Sequence, residues 1–444
     1  MKKNINVGII GWGTVGTGVA KILLNQPMFI KDYEDLSVSL CRIADLDITS
    51  PRGIKIESEM LSTNVSDVIN AQDIDIVVEL IGGLHPATEF IMSAIKAGKH
   101  VVTANKAVIA AYGKELFQLA KENGVMLRFE TSVGGCIPII KSLQEGLAAN
   151  HLQSIYGIVN GTCNYILTQM TDKGLDFGDV LKDAQSKGYA EADPTYDIDG
   201  IDTANKITIL TSLAYKTAIK LEDVFVEGIT HITQKDIQYA RELGYRIKLL
   251  AIAKLVEAYK VQVRVHPTML PERSMLANVD GVFNAIYVVG NAAGATMFYG
   301  RGAGQMPAAS AVVGDIIEIS RYVHSGADPH LVSSPTLDNE NYSVKPMDDC
   351  RTRYYIRLQG LDQPGVLASV SGIFGKRGIS ISTVIQKDRH EGSSVPIVMM
   401  THESFEKDIQ DAVREIDNLS VIKSKTVLIR VENMENEEAN LTIV

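Results

Sequence analysis

The sequence predicts an α/β protein in three units: a doubly wound parallel sheet, an α+β unit, and a small βαββαβ unit. Short apolar runs alternate with helix patterns over residues 5–130, the signature of a parallel sheet covered on both faces. A glycine turn, Gly11-Trp12-Gly13-Thr14-Val15-Gly16, joins the first run to the first helix pattern. Beyond residue 350, six segments alternate in strand and helix character within fewer than a hundred residues.

The bulk numbers fit this reading. A chain of 444 residues implies about two to four domains. With 45% hydrophobic and 22% charged residues it has an ordinary globular composition, able to build real cores. A net charge of −10 and the lack of a basic stripe argue against nucleic acid or an anionic membrane as partner. No apolar run reaches membrane-spanning length, and the first residues lead into a strand pattern without a signal-peptide core. Cys41, Cys136, Cys163 and Cys350 are far apart with no CxxC pair. They read as free thiols of a reducing cytoplasm.

Residues 5–10 read as a buried parallel strand, followed by the glycine turn and an apolar helix pattern over 19–24. In that context GxGxxG is a dinucleotide-binding (Rossmann) fingerprint. Gly11, Gly13 and Gly16, with Thr14 and Val15 between them, let the backbone approach a pyrophosphate at the helix N-terminus. The strand at 37–43 ends at Asp45, which can accept from a ribose 2′-hydroxyl and favours NAD, or can be a solvated loop carboxylate. Arg42 and Arg52 are close enough in sequence for a 2′-phosphate, so NADP stays open. A strand at 74–81, a helix at 87–97, a strand at 100–103, a helix at 114–123 and a strand at 125–130 continue the alternation. Thr103 and Lys106 fall at the carboxyl edge of the sheet, where such sheets bind ligands. Lys106 is therefore a candidate on the nicotinamide or substrate side; the alternative is a surface lysine.

The segment 130–138 leaves the sheet through Gly134 and Gly135. Glu130 with turned backbone carbonyls could hold a monovalent cation, or the segment could be a hinge. A helix at 139–149 and a strand at 155–160 open the second unit. Further strands at 249–255 and 261–265 predict a long antiparallel or mixed sheet covered by helices. Within this unit Glu191, Asp202 and Lys206 lie on a polar loop running into the apolar segment 207–213. Asp202 and Lys206 are four residues apart and share a helix face. Two carboxylates beside a lysine suit a small zwitterion, with the lysine as proton source. The same residues also fit an ordinary helix start, with Asp202 only favouring the dipole. The helix at 308–322 is expected to pack back on the first unit. Residues 326–350 read as a linker broken by prolines. In the third unit strands at 354–358, 379–386, 394–401 and 425–431 and two helices give a ferredoxin-like order. The segment 432–438 is acidic and expected to be disordered.

Eight motifs in order carry a family resemblance. They are GxGxxG, Ile-Gly-Gly, Val-Thr-Ala-Asn-Lys, Glu-Thr-Ser-Val-Gly-Gly, Val-Asn-Gly-Thr-Cys-Asn-Tyr-Ile, Gly-Tyr-Ala-Glu-Ala-Asp-Pro, Gly-Ile-Asp-Thr-Ala-Asn-Lys and Gly-Arg-Gly-Ala-Gly. Over about residues 5–325 the chain resembles homoserine dehydrogenase, in the monofunctional form, since no kinase-like segment precedes the first strand. Asp362-Gln-Pro-Gly365-Val-Leu resembles the first turn of an ACT domain.

The resemblance implies reversible, NAD- or NADP-dependent interconversion of L-aspartate 4-semialdehyde and L-homoserine. It implies that Glu191 and Asp202 hold the substrate amino group. Lys206 would donate a proton to the aldehyde oxygen, with Lys106 as rival donor. Gly188 and Gly302 would approach the cofactor. Glu130, with the carbonyls of Val133, Gly135 and Ile137, would bind a structural sodium or potassium ion. The ACT domain implies an amino-acid effector near Asp362 and Gly365, threonine first among candidates, or else an oligomerisation role alone. The implied protein is a cytoplasmic homo-oligomer, dimer or tetramer. Its units would be a nucleotide-binding domain at 1–138 with about 302–325, a substrate and dimerisation domain at 139–301, a linker, an ACT domain at 351–432 and an acidic tail at 433–444. Two other classes remain. One is an amino-acid sensor without turnover. The other is an aspartate-semialdehyde dehydrogenase, which needs an activated cysteine; Cys163 is the residue to test.

Overall fold

The computed structural model describes residues 4–25, 36–327, 335–387 and 393–434. Its first sheet has six strands in the order Leu61–Ser62, Ser37–Ala44, Asn4–Ile10, Ile76–Glu79, His100–Thr103, Leu127–Arg128. All neighbours are parallel. The alternating side chains explain why the strands read as unbroken apolar runs. Ile5, Val7, Ile9, Ile76 and Val78 face one core with Val19, Leu23, Val312 and Ile316. Ile10, Val77 and Val101 face the other with Ile91, Ile95, Val108 and Leu116.

The helix Gln305–Ser325 returns to this sheet as expected and packs on the helix Thr14–Asn25. Gly18 makes that approach possible, since a Cβ there would stand 2.9 Å from the Ala309 Cβ. The two-residue edge strand Leu61–Ser62 was not expected, being too short for a pattern. Lys106 is the first residue of the helix Lys106–Glu122. Asn105 caps that helix by accepting from the Val108 N–H, so the helix starts eight residues earlier than periodicity placed it.

The second sheet has twelve strands. Its first half runs Gly294–Arg301, Phe283–Gly290, Leu152–Ile158, Tyr245–Glu257, Lys260–Pro271, all antiparallel. The two central strands form one long hairpin, roughly twice the length expected from 249–255 and 261–265. Helices Gly161–Lys173 and Ile201–Tyr215 lie on this half. The expected helix at 139–149 is shorter: one turn at Ile139–Lys141 passes into a wider π-helical turn, Ser142–Gly146.

The same sheet continues into the C-terminal unit. Its strands follow in the order Val427–Val431, Arg351–Leu361, Ser394–Thr401, Ile381–Ile385, a ferredoxin-like arrangement with helices Val366–Lys376 and Glu406–Asp417 on one side. The junction is a short parallel pairing of Thr268 with Arg430 and Met269 with Val431. Residues 326–350 are thus more than a linker: Ser343–Val344 pairs with the Lys260–Pro271 strand, while 328–334 lie outside the described residues. The start of the acidic segment is also ordered. Glu432 is 5% exposed and ion-paired with the buried Arg264, and Met434 is buried. A paired carboxylate is stable in a core where a free one is not. The rest of the segment, 435–444, lies outside the described residues.

Candidate active site

A cleft of about 600 Å³ opens between the two sheets. Its floor is built by two helix starts. Asn160 caps the helix Gly161–Lys173 through its side-chain oxygen, which accepts from the Cys163 N–H at 2.8 Å. That orientation leaves the Asn160 amide nitrogen to donate to Asp197 Oδ1 at 2.7 Å and Asp202 Oδ2 at 2.9 Å. Asp202 lies in the first turn of the helix Ile201–Tyr215, where the dipole favours a carboxylate. Lys206, one turn on, donates to Asp202 Oδ2 at 2.6 Å and to the Val159 carbonyl at 2.6 Å.

Lys106 reaches the same carboxylate from the opposite sheet, with its Nζ 3.0 Å from Asp202 Oδ1. Asp202 therefore bridges two ammonium groups and is itself only 5% exposed. Burial would raise its pKa; Lys206 and Lys106 outweigh that and hold the carboxyl down to about 2. Burial also disfavours the Lys106 ammonium, but Asp202 outweighs it and the pKa stands above the ordinary lysine value. The trio carries net positive charge at neutral pH, in a cleft also lined by Thr14, Val15, Gly188 and Gly302. A developing alkoxide would be stabilised there.

Comparison with known proteins agrees with this geometry. The homoserine dehydrogenase family model matches residues 138–317, the homoserine dehydrogenase NAD-binding domain 11–130, and the ACT domain 354–421. The homoserine dehydrogenase of Neisseria gonorrhoeae is 42% identical over 97% of this chain and 99% of its own. The chain belongs to the homoserine dehydrogenase family.

A solved homoserine dehydrogenase from Thiobacillus denitrificans is 45% identical, with a TM-score of 0.90 over 97% of this chain and 99% of that one. A hyperthermophilic archaeal homoserine dehydrogenase in complex with NADPH is 28% identical, with a TM-score of 0.62 over 71% of this chain and 98% of that one. The family membership makes the chain an NAD(P)-dependent oxidoreductase with an ACT domain. Among the described residues no helix is long and apolar enough to cross a membrane.

The glycine turn fits a homoserine dehydrogenase nucleotide. Gly11 has φ +102°, and a Cβ on Gly16 would stand 2.1 Å from the Gly11 carbonyl oxygen. Gly13 has open space where a Cβ would be, so the backbone there is free to meet a phosphate. Asp45 spends both oxygens on backbone, accepting from the Trp12 and Asp47 N–H groups. It holds the glycine turn in shape. Arg52 lies over the Trp12 ring at 5.6 Å, and its Nε has no protein partner among the described residues. Thr103 is fully buried and donates to Glu79 at 2.6 Å, and its hydroxyl accepts from the Asn105 N–H. Its side chain thus organises the strand end that presents Lys106.

Other expected residues are placed less centrally. Glu191 is exposed, outside the residues that line the cleft, and its carbonyl accepts from Gln185; Asp197, from the same loop, faces the floor instead. The carboxylate of Glu130 accepts from the Ile140 and Lys141 N–H groups at 2.7 and 3.0 Å, capping the next helical turn. Burial pushes its pKa up to about 7. Gly134 and Gly135 are both left-handed, turning the backbone between Val133 and Ile137. Cys163 is fully buried, and burial pushes its thiol well above the ordinary range. An unreactive thiol of this kind does not serve the cysteine chemistry of a semialdehyde dehydrogenase.

Sequence reasoning missed four individual residues of the site: Asn160, Asp197, Thr162, whose hydroxyl donates to Asp197 Oδ2 at 3.2 Å, and Tyr196, whose ring lies 5.7 Å from Lys106 Nζ. Asn160 and Thr162 fall in the quoted Val-Asn-Gly-Thr motif. Nothing in the sequence separates Asp197 from the other carboxylates of its loop.

Proposed function

We propose that Lys206 is the proton donor and that Lys106 and Asp202 set the charge and position of the reacting oxygen. The observation that supports this is the Lys106–Asp202–Lys206 trio on the cleft floor. When bound, the reduced nicotinamide supplies the hydride to the aldehyde carbon. As negative charge develops on the former carbonyl oxygen, Lys206 Nζ releases a proton to it and the product is the L-homoserine hydroxyl. Lys206 suits the task because Asp202 and Val159 fix it in one place. Lys106, one-third exposed, paired with Asp202 Oδ1 and lying over the Tyr196 ring at 5.7 Å, holds charge beside the nicotinamide. Asp202 and Glu191 receive the substrate ammonium group.

Gly11, Gly13, Thr14, Val15 and Gly16 would hold the pyrophosphate, and Gly188 and Gly302 would approach the nucleotide. Asp45 and Arg52 flank Trp12, a pairing that supports use of NADP as well as NAD. We further propose a structural sodium or potassium ion at Glu130 with the carbonyls of Val133, Gly135 and Ile137. Burial of the Glu130 carboxylate supports it, because a cation would offset the cost of the charge. The effector is proposed to be L-threonine at the turn of Asp362 and Gly365, where Gly365 is left-handed at φ +92°. The division at 138, 301 and 351 is proposed as the domain organisation.

The test is reduced-nicotinamide absorbance with L-homoserine and NAD or NADP in parallel, with and without L-threonine. Homoserine-dependent reduction with both nucleotides, suppressed by threonine, is the expected result. Binding of nucleotide by folded protein without any turnover would favour the sensor instead.

A further inference from the structure

Glu227 and Arg430 take no part in the chemistry above, yet they connect the ACT domain to the cleft floor. Arg430, on the strand Val427–Val431, is 0% exposed. Its Nε and Nη2 donate to the two oxygens of Glu406 at 2.9 and 2.5 Å. Its Nη1 crosses to the catalytic unit and donates to Glu227 Oε2 at 2.8 Å. Its guanidinium also covers the Phe225 ring at 4.9 Å.

Phe225 and Glu227 belong to one short stretch of the catalytic unit. Strand Phe225–Val226 pairs with Lys260–Pro271, and the Glu227 N–H donates to the Val265 carbonyl at 2.8 Å. The next two residues press on the loop that carries Asp197. A Cβ on Gly228 would stand 2.3 Å from the Ile198 carbonyl oxygen and 2.6 Å from the Asp199 Cα. The Ile229 N–H donates to the Ile198 carbonyl at 2.9 Å. Asp197, adjacent to Ile198, accepts from Asn160, and the same amide nitrogen donates to Asp202. A continuous series of short contacts thus joins Glu406 to Asp202.

We infer that Glu227, gripped by Arg430, is a positioning residue that sets the place of Asp197 and Asp202, so that the ACT domain controls homoserine affinity through the Glu227–Arg430 contact. The series contains backbone-to-backbone packing at Gly228 and a bidentate buried ion pair at Arg430. Neither deforms continuously, which is what a coupling between two distant arrangements requires. Glu406 remains to neutralise Arg430 if Glu227 loses its charge, so the fold has a second support. The inference rests on the reading that Asp202 receives the substrate.

The experiment is steady-state kinetics on the full chain for Glu227→Gln, Glu406→Gln, Gly228→Ala and Glu227→Asp, with Asp202→Asn alongside. In Glu227→Gln the homoserine KM rises about fivefold or more, within the usual range of coupling between sites. The nucleotide KM stays within about twofold of the natural value. Glu406→Gln, wholly inside the ACT domain, and Gly228→Ala, next to the loop, shift the homoserine KM in the same direction. Glu227→Asp restores part of the loss. A homoserine KM unchanged in folded Glu227→Gln and Glu406→Gln overturns the inference, as does an equal rise in both KM values, which marks general loosening. Should Glu227→Gln fail to fold, Glu406→Gln alone decides by the same readout. If Asp202→Asn leaves the homoserine KM unchanged, the reading of the substrate site fails; if it raises KM while the other variants do not, only the coupling fails.

Discussion

Asp202 has one carboxylate and four neighbours with a claim on it: Lys106, Lys206, Asn160 and, through Asn160, Asp197. This crowding makes its charge permanent across the working pH range. A carboxylate with a folded pKa below its unfolded value contributes stability that is present above about pH 4. That contribution is lost as pH falls through about 2, the value to which the lysines hold Asp202. Asp202→Asn leaves the largely buried Lys206 ammonium group and the one-third exposed Lys106 without their shared partner and should cost roughly 3 kcal/mol at neutral pH. The gap to the natural protein should close as pH is lowered from about 4 towards 2, measured by urea unfolding at each pH. A gap that stays constant over this window would mean that Asp202 is not ionised at neutral pH. The two lysines separate in a kinetic test. Lys206→Met should cut kcat by roughly 10²–10⁴ while nucleotide Kd stays within about twofold, as expected for loss of a proton donor. Lys106→Met should lose less in kcat. The opposite ranking would transfer the donor role to Lys106.

At the scale of elements, the cleft depends on glycine turns that bring loops together. Gly135, at φ +62°, has Gly302 directly against it: a Cβ would stand 2.6 Å from the Gly302 carbonyl carbon and 2.8 Å from the Arg301 oxygen. Gly135→Ala combines left-handed strain with a backbone clash. It should cost roughly 2 kcal/mol or more in stability and, on the proposal that Gly302, which lines the cleft, approaches the nucleotide, raise the nucleotide KM. Thermal unfolding and nucleotide titration check both halves; a variant with natural stability would show that the loops do not dock as described. The helix starts act in the same way. Asn105 and Asn160 each cap a helix with the side-chain oxygen, and each cap places a side chain of the cleft floor, Lys106 in one case and the Asp197–Asp202 bridge in the other.

At the scale of the whole molecule, the outer strands of the second sheet are Gly294–Arg301 and Ile381–Ile385. Neither has a strand partner on its outer side among the described residues. Tyr299 is 56% exposed on the first, stacked on Phe283 at 5.1 Å. Such an edge is usually covered, and a second copy of the chain is the proposed cover. Light scattering should give a multiple of the single-chain mass, and Tyr299→Glu should shift it towards one chain. An unchanged mass would move the contact elsewhere. The ACT domain is joined to the catalytic unit by strand pairing and by ion pairs, Arg357 with Asp236, Arg264 with Glu432, and Arg430 with Glu227. Such a junction resists hinge motion, so any signal from an effector must pass as a change of packing.

The amino-acid sequence by itself determined the family, the order of the elements and the residues with reactive side chains. Glycine turns, apolar periodicity and the i, i+4 spacing of Asp202 and Lys206 are local properties, and local properties survive in one dimension. Element ends were less legible, because a cap such as Asn105 acts through one side-chain hydrogen bond that periodicity does not register. Only the tertiary structure decided that Lys106 and Lys206 share Asp202, that Asp197 rather than Glu191 faces the floor, and that Asp45 shapes the glycine turn. It also decided that the ACT sheet extends the catalytic one and that Glu432 is buried. Each of these pairs residues far apart in sequence or separates near neighbours on one loop. The pairings are set by which buried charges find partners once two sheets and their loops have closed on one another.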